Sequence, residues 1–285
     1  MKDQFSNAMQ MKAYVKKQAV KTDIDPRLLI QEFVLDDLLE RISLSKYRNN
    51  FVLKGGFLIA SILGVDTRST HDLDTTVVGL PVTADILMTV FTEICDTVPE
   101  EDPIELHPVR IEPIRDDDEY NGFRVHFKGS IYSKIKPQFK IDVSTGDKIT
   151  PREVRYCHHL LTEDRDIFVM AYNVETILAE KLETVISRGI TNSRAKDFYD
   201  LYALSKLERK NIAISNLKDA LINTATHRHT LDKMVNYLTV FRSIVADDNM
   251  QANWVRYQQN NRFAQAISLE ATCVAGEQLM HEIAL

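Results

Sequence analysis

Between residues 50 and 145 the spacing of apolar residues switches repeatedly between period two and period three to four. Few architectures accommodate that. FVLKGG (51–56) reads as a short strand ending in a turn, and FLIASILG (57–64) as a helix closed by Gly64. DLDTTVVG (72–79) is strand-like through Val77 and Val78. ADILMTVFTEIC (84–95) is a further helix. IELHPVRIEPI, GFRVHFKGSI and QFKIDVST (104–114, 122–131 and 138–145) are strands separated by polar turns. The connections vary too much for a repeated βαβ array, so the pattern predicts an α/β (α+β) core with a mixed sheet.

The flanks are helical. DPRLLIQEFVLDDLLERISLS places Leu28, Leu29, Phe33, Leu35, Leu38, Leu39 and Ile42 at three- and four-residue spacing, with Asp25 and Pro26 as N-cap and first-turn pair. From about 163 the chain reads as mainly helical; ETILAEKLETVISR presents Ile177, Leu178, Leu182, Val185 and Ile186 to a core, and KDFYDLYALSKL continues the pattern. Three segments are expected: helical 1–46, an α/β core at 47–160, and a helical domain at 161–285. The last two are expected to pack together around a ligand cleft.

Composition narrows the function. The formal net charge of −6 argues against a protein that coats nucleic acid, but 35 Lys and Arg leave room for a local basic surface. The three cysteines, Cys95, Cys157 and Cys273, form no CxxC pair, so free thiols are expected rather than disulfides or a cysteine zinc site. No apolar run has the length of a membrane span, and the first residues lack a signal-peptide core, so the cytoplasm is the expected location.

The chemistry concentrates on carboxylates. Asp72 and Asp74, two apart in a strand, share one face, and Asp142 sits in another strand-like run. If the strands are neighbours, the three converge on magnesium, with manganese as its substitute, held against nucleotide phosphates. Asp142 is then placed to assist hydroxyl deprotonation. Gly55 and Gly56, before a helix start, bring backbone N–H groups to phosphate; Thr70 is a further candidate nucleotide-binding residue and His71 a candidate phosphate contact. A lone DxD is common at exposed turns; its position after KGG, a helix and RSTHD makes it more specific. The run Asp116-Asp117-Asp118-Glu119 reads as a solvated turn.

A second group lies in the helical half. Lys181 can meet a triphosphate as a point charge, and Asp197 can orient it; a surface ion-pair network is the plainer reading. Arg188, Arg194 and Lys196 are candidate contacts to an RNA backbone. Tyr199 and Tyr202 fit the helical core better than base stacking, and Trp254 is a weak candidate for holding an RNA end. His158-His159, His227 and His229 lack zinc-ligand spacing.

These stretches, taken in order, carry a family resemblance. Leu53-Lys54-Gly55-Gly56, Arg68-Ser69-Thr70-His71-Asp72-Leu73-Asp74, Ile141-Asp142-Val143, Ile177-Leu178-Ala179-Glu180-Lys181-Leu182 and Arg194-Ala195-Lys196-Asp197-Phe198-Tyr199-Asp200-Leu201-Tyr202 resemble the nucleotidyltransferase toxins of the abortive-infection E type, of bacterial type IV toxin–antitoxin systems. The resemblance spans about residues 50 to 205. It implies a polymerase-beta-like nucleotidyltransferase core joined to a helical domain, with the paired aspartates on metal, Lys181 on nucleotide phosphate and Asp197 in the active site. It also implies a DNA-binding antitoxin as partner, and the acceptor end of tRNA as target. Phe57 departs from the small hydroxyl residue expected after the glycine pair, and it has no O–H to offer phosphate.

The leading expectation is a magnesium-dependent enzyme that transfers nucleotides from an NTP to an RNA 3′ end, the tRNA acceptor stem foremost, and blocks translation. The alternatives are transfer to a small hydroxylated molecule or a protein, and a non-catalytic nucleotide- or partner-binding module.

Overall fold

The computed structural model describes residues 5–22, 24–64, 72–99, 103–114, 122–160 and 163–285. Thr70, His71 and the acidic run 116–119 lie outside them. Contacts gather the chain into two units. One holds most of the chain up to Asp147 together with Val154–Ala171; the other holds Lys148–Glu153 and Tyr172–Leu285.

The first unit opens with helices α1 (Ala8–Thr22) and α2 (Pro26–Leu44). Asp25 caps α2 by accepting from the Arg27 N–H at 2.7 Å, with Pro26 in the first turn where its missing N–H costs nothing. Then come β1 (Phe51–Lys54), α3 (Gly55–Leu63), β2 (Leu73–Val77), α4 (Ala84–Asp96), β3 (Ile104–Ile114), β4 (Gly122–Ile131), β5 (Gln138–Thr145), β6 (Val154–His159) and β7 (Asp166–Ala171). All seven strands join one mixed sheet in the order β3-β4-β5-β2-β1-β7-β6. The pairs β1–β7 and β2–β5 are parallel and the rest antiparallel.

One face of the sheet is the core. Leu73, Val125, Phe127, Ile141 and Val143 are at most 1% exposed. Phe127 stacks on Phe139 at 5.0 Å and meets Phe91 of α4 edge-on at 5.4 Å, and Phe91 reaches Phe51 at 5.1 Å. Arg41 of α2 is buried. Its guanidinium binds Asp37 at 2.7 Å and donates to the carbonyls of Cys95 and Ile104, fastening α2 to the end of α4 and the start of β3.

The segment at 166–171 corrects the helical reading of the chain from about 163. Ile167, Val169 and Ala171 are buried while Phe168 is exposed, the period-two burial of a strand. Pairing with both β1 and β6 decides the matter, and neither partner is local in sequence.

The second unit contains α5 (Val174–Arg188), α6 (Ala195–Leu207), α7 (Ile214–His227), α8 (Leu231–Met234), α9 (Tyr237–Ala246), α10 (Asp248–Asn260) and α11 (Leu269–Ile283). Asn173 caps α5, accepting from Thr176 N–H at 2.7 Å; its amide N–H2 donates to the carbonyls of Thr150 and Arg152, which ties Lys148–Glu153 to this unit. Tyr199 and Trp254 are core residues, 3% and 2% exposed. Tyr199 packs on Phe263 at 4.8 Å, and the Trp254 indole N–H donates to the Ile267 carbonyl. Trp254 is therefore not an exposed platform for RNA.

Glu32 of α2 provides a pH test of this packing. It is buried, one of its carboxylate oxygens has no hydrogen-bond partner among the described residues, and burial together with the nearby Asp36 charge raises its pKa from 4.5 to about 7. A raised folded pKa gives stability that is complete below pH 4.5 and is lost as pH rises through 7, about 3 kcal/mol in all. Glu32→Gln is expected to match the wild type in urea unfolding near pH 4.5 and to exceed it by about 2–3 kcal/mol at pH 8. Equal stabilities at pH 8 would contradict the assignment.

Candidate functional site

Lys54 ends β1, and the chain must then turn sharply into α3. Gly55 makes the turn at φ +68°, where an L side chain is strained. A Cβ at Gly55 would stand 2.1 Å from Oδ2 of Asp74, so the glycine is needed twice: for the backbone conformation and to leave room for the Asp74 carboxylate. That carboxylate therefore lies against the N-terminal end of α3, where free N–H groups and the helix dipole favour anions.

Strand register brings the second carboxylate to the first. β2 and β5 run parallel with Asp74 opposite Asp142, so the two project from one face of neighbouring strands. The face is the one opposite the aromatic core. Asp72 stands just before β2, 53% exposed at its side chain, with Lys140 Nζ at 3.7 Å. Arg124 of β4, opposite Asp142 in register, grips both of its oxygens: Nε to Oδ1 and Nη2 to Oδ2, each 2.8 Å. This bidentate pair holds the Arg124 pKa above its ordinary value. Two positive side chains thus offset the repulsion among the carboxylates.

Next to them, Lys54 Nζ binds Asp147 at 2.6 Å, and the Ser144 hydroxyl donates to the same oxygen at 2.7 Å. Burial alone would raise the Asp147 pKa; the Lys54 charge outweighs it and holds the carboxyl below its usual range.

Phe57 is buried, and its ring lies tilted on His158 with centroids 5.6 Å apart. His158 joins Asp36 through Nε2 at 2.8 Å and the Ser61 hydroxyl through Nδ1 at 2.7 Å, while the Tyr156 hydroxyl lies 2.9 Å from Ser61 Oγ. This chain of contacts links α2, α3 and β6 within the core. Phe57 is thus a packing residue of α3, facing His158.

The second unit holds its own cluster. Lys181 of α5 binds Asp197 of α6 at 2.6 Å and Asp200 at 2.9 Å. The plainer expectation, a surface ion-pair network, is corrected here: the carboxylate side chains are 3% and 0% exposed and Lys181 is 16% exposed. Burial would lower the Lys181 pKa, but Asp200 and Asp197 together hold it above the ordinary value. The other oxygen of Asp197 is buried without a hydrogen-bond partner among the described residues; Arg194 Nε approaches it to 3.8 Å. A carboxylate oxygen left open in a buried setting is suited to a ligand. Arg188, Arg194 and Lys196 flank the α5–α6 connection, Arg188 and Arg194 exposed and Lys196 half-buried.

The chain matches the sequence model of a known family, described as "Nucleotidyl transferase AbiEii toxin, Type IV TA system", over residues 37–271. The chain belongs to the AbiEii nucleotidyltransferase toxin family. Two solved structures from Helicobacter pylori share its fold. A putative nucleotidyltransferase superposes with a TM-score of 0.51 at 17% identity, covering 91% of this chain and 97% of that one. JHP933 superposes with a TM-score of 0.50 at 17% identity, covering 91% and 94%. No curated protein matches the chain in sequence. Membership makes this a nucleotidyltransferase-type enzyme of the AbiEii family, and the type IV toxin–antitoxin setting implies an antitoxin partner and an NTP substrate. No helix among the described residues is long and apolar enough to cross a membrane.

Sequence reasoning left out Arg124 and Lys54 with Asp147 as site residues, and placed Asp200 in the charged group of the helical half without a role. Arg124 had a signal: in GFRVHFKGSI it alternates with buried Val125 and Phe127, which puts it on the polar face with His126. Asp200 had one too, lying three residues beyond Asp197 on one helix face.

Metal fit rests on donor chemistry. Among the described residues no three His, Cys, Asp or Glu side chains are gathered as a preformed metal cluster. Asp74 and Asp142 nevertheless supply hard carboxylate oxygens from adjacent strands, the donor type of magnesium and manganese. Arg124 competes for Asp142. Arg124→Gln is expected to tighten Mn2+ binding about tenfold, read by titration calorimetry without any nucleotide. Unchanged or weaker binding would remove Asp142 from the metal-binding set.

Proposed function

We propose that this AbiEii-family protein transfers nucleotides from an NTP to the 3′ hydroxyl of an RNA, the tRNA acceptor end foremost, and so blocks translation. The observation that carries the reading is the in-register placement of Asp74 and Asp142, with the Asp74 carboxylate set against Gly55 at the start of α3. Magnesium held by Asp74 and Asp142, with Asp72 beside them, would neutralise triphosphate charge and activate the attacking hydroxyl.

The chain's own residues have distinct tasks in this reading. Backbone N–H groups at Gly55 and Gly56 receive phosphate oxygens. Asp142, once Arg124 lets go, accepts the proton of the acceptor hydroxyl. Lys181 offers positive charge to nucleotide phosphate, and Asp197 orients it. Arg188, Arg194 and Lys196 attract the RNA backbone.

The test is incubation of total RNA with each labelled NTP and magnesium. Wild type is expected to label RNA of tRNA size, and Asp74→Asn to label none. Label on a small molecule or a protein would move the acceptor to that class. Nucleotide binding with no label in any fraction would leave a binding module.

A further inference from the structure

A second polar site lies away from the carboxylates, at the end of the sheet where β1 and β7 begin. A cavity of about 340 Å3 is lined by Ser43, Arg48, Asn49, Arg155, Phe168 and Met170 among others, and none of the described residues lining it is acidic. The Arg155 guanidinium lies over the Phe168 ring, 3.9 Å from its centroid. Phe168 is 48% exposed, unusual for so large an apolar ring. Arg48 and Arg155 are exposed, and neither has an ion pair among the described residues. Asp166, two residues before Phe168 on β7, is engaged with His159 at 2.8 Å.

Register puts this cavity on a useful face. Lys54 opposes Asp74, Val52 opposes Met170, and Met170 opposes Arg155. Side chains two apart share a face, so Arg155, Phe168 and Met170 project from the same face as Asp74 and Asp142. Phe168 is two strands across from β2 and four residues along, roughly 16 Å from Asp74 by strand spacing and rise. That is the reach of a few nucleotides of single strand.

We infer that this cavity is a subsite for single-stranded RNA, with a phosphodiester between Arg48 and Arg155 and a base stacked on Phe168. The inference rests on the RNA-acceptor reading above and adds where the strand runs. Two guanidiniums without an ion pair among the described residues match a phosphate, and Arg is the side chain suited to phosphate and to stacking on a ring. A π-face beside a basic groove is the general means of holding a single strand without reading its sequence. The formal charge of −6 makes such a local basic site more telling, because attraction over the whole surface is lacking.

The test measures binding of a fluorescent single-stranded RNA octamer by anisotropy, alongside labelling of the same RNA with NTP. The Arg48→Ala/Arg155→Ala double variant is expected to bind about tenfold or more weakly, with a shallower salt dependence, by about 0.7 in the log–log slope for the one phosphate no longer neutralised. Phe168→Leu keeps an apolar side chain on β7 and is expected to weaken binding about tenfold through lost stacking, with an unchanged salt slope. All three side chains are exposed, so thermal unfolding should stay at the wild-type midpoint. If wild type binds and labels RNA but the variants keep its affinity and salt slope, the subsite is wrong and the RNA-acceptor reading stands. If wild type neither binds nor labels RNA, the acceptor reading falls and the subsite with it.

Discussion

Asp74→Asn is expected to lower nucleotide transfer by about 10³-fold or more, while leaving the fold intact. Asn keeps the shape and one acceptor oxygen but loses the charge that a divalent cation requires, and charge stabilisation of this kind accounts for several kcal/mol of a transfer barrier. Asp142→Asn is expected to act similarly and, in addition, to release Arg124 from its bidentate grip. Gly55→Ala is a second route to the same loss. The new Cβ collides with the Asp74 carboxylate and the backbone stays at a φ disfavoured for alanine, so Asp74 must move. Initial rates of labelling, with circular dichroism as the folding control, check all three. Near wild-type rates for Asp74→Asn would place the chemistry elsewhere on the chain.

Lys181→Met is expected to destabilise the helical unit by about 3–5 kcal/mol, because it removes the ammonium that two buried carboxylates share at 2.6 and 2.9 Å. Activity is lost as well in the proposed reading, so the single variant does not separate a structural lysine from one that serves nucleotide. The triple variant Lys181→Met/Asp197→Asn/Asp200→Asn does. Removing all three charges should recover most of the stability in urea unfolding, since the desolvation cost disappears with them. Transfer should remain absent if Lys181 and Asp197 act on nucleotide. A triple variant that regained both stability and rate would make the cluster purely structural.

The two clusters differ in how readily sequence revealed them. Lys181, Asp197 and Asp200 lie within twenty residues on helices α5 and α6, and their helical spacing announces a shared face. What spacing did not convey was burial: the same charges on a solvent face would read identically. Sequence put Trp254 among possible RNA contacts for a related reason. Its helix, α10, is polar by composition, and only packing shows the indole turned inward to the Ile267 carbonyl.

The sheet shows the same division. Local alternation determined the strands at 104–114, 122–131 and 138–145, because period two is a property of a few consecutive residues. The glycine pair determined a turn after Lys54. The same-face relation of Asp72 and Asp74 also followed from spacing alone. Strand neighbours were another matter. Asp74 meets Asp142 because β2 pairs with β5 across 68 residues of chain, and Arg124 reaches Asp142 only because β4 lies on β5's other side. Placing β7 beside β1, which turned an expected helical stretch into a strand and brought Phe168 and Arg155 out onto the carboxylate face, required the same kind of long-range pairing. Sequence fixes which residues can share a face, since that depends on backbone geometry within one element. Only the tertiary structure decides which faces meet, because the hydrogen bonds and buried area that choose a neighbour come from segments far away in the chain.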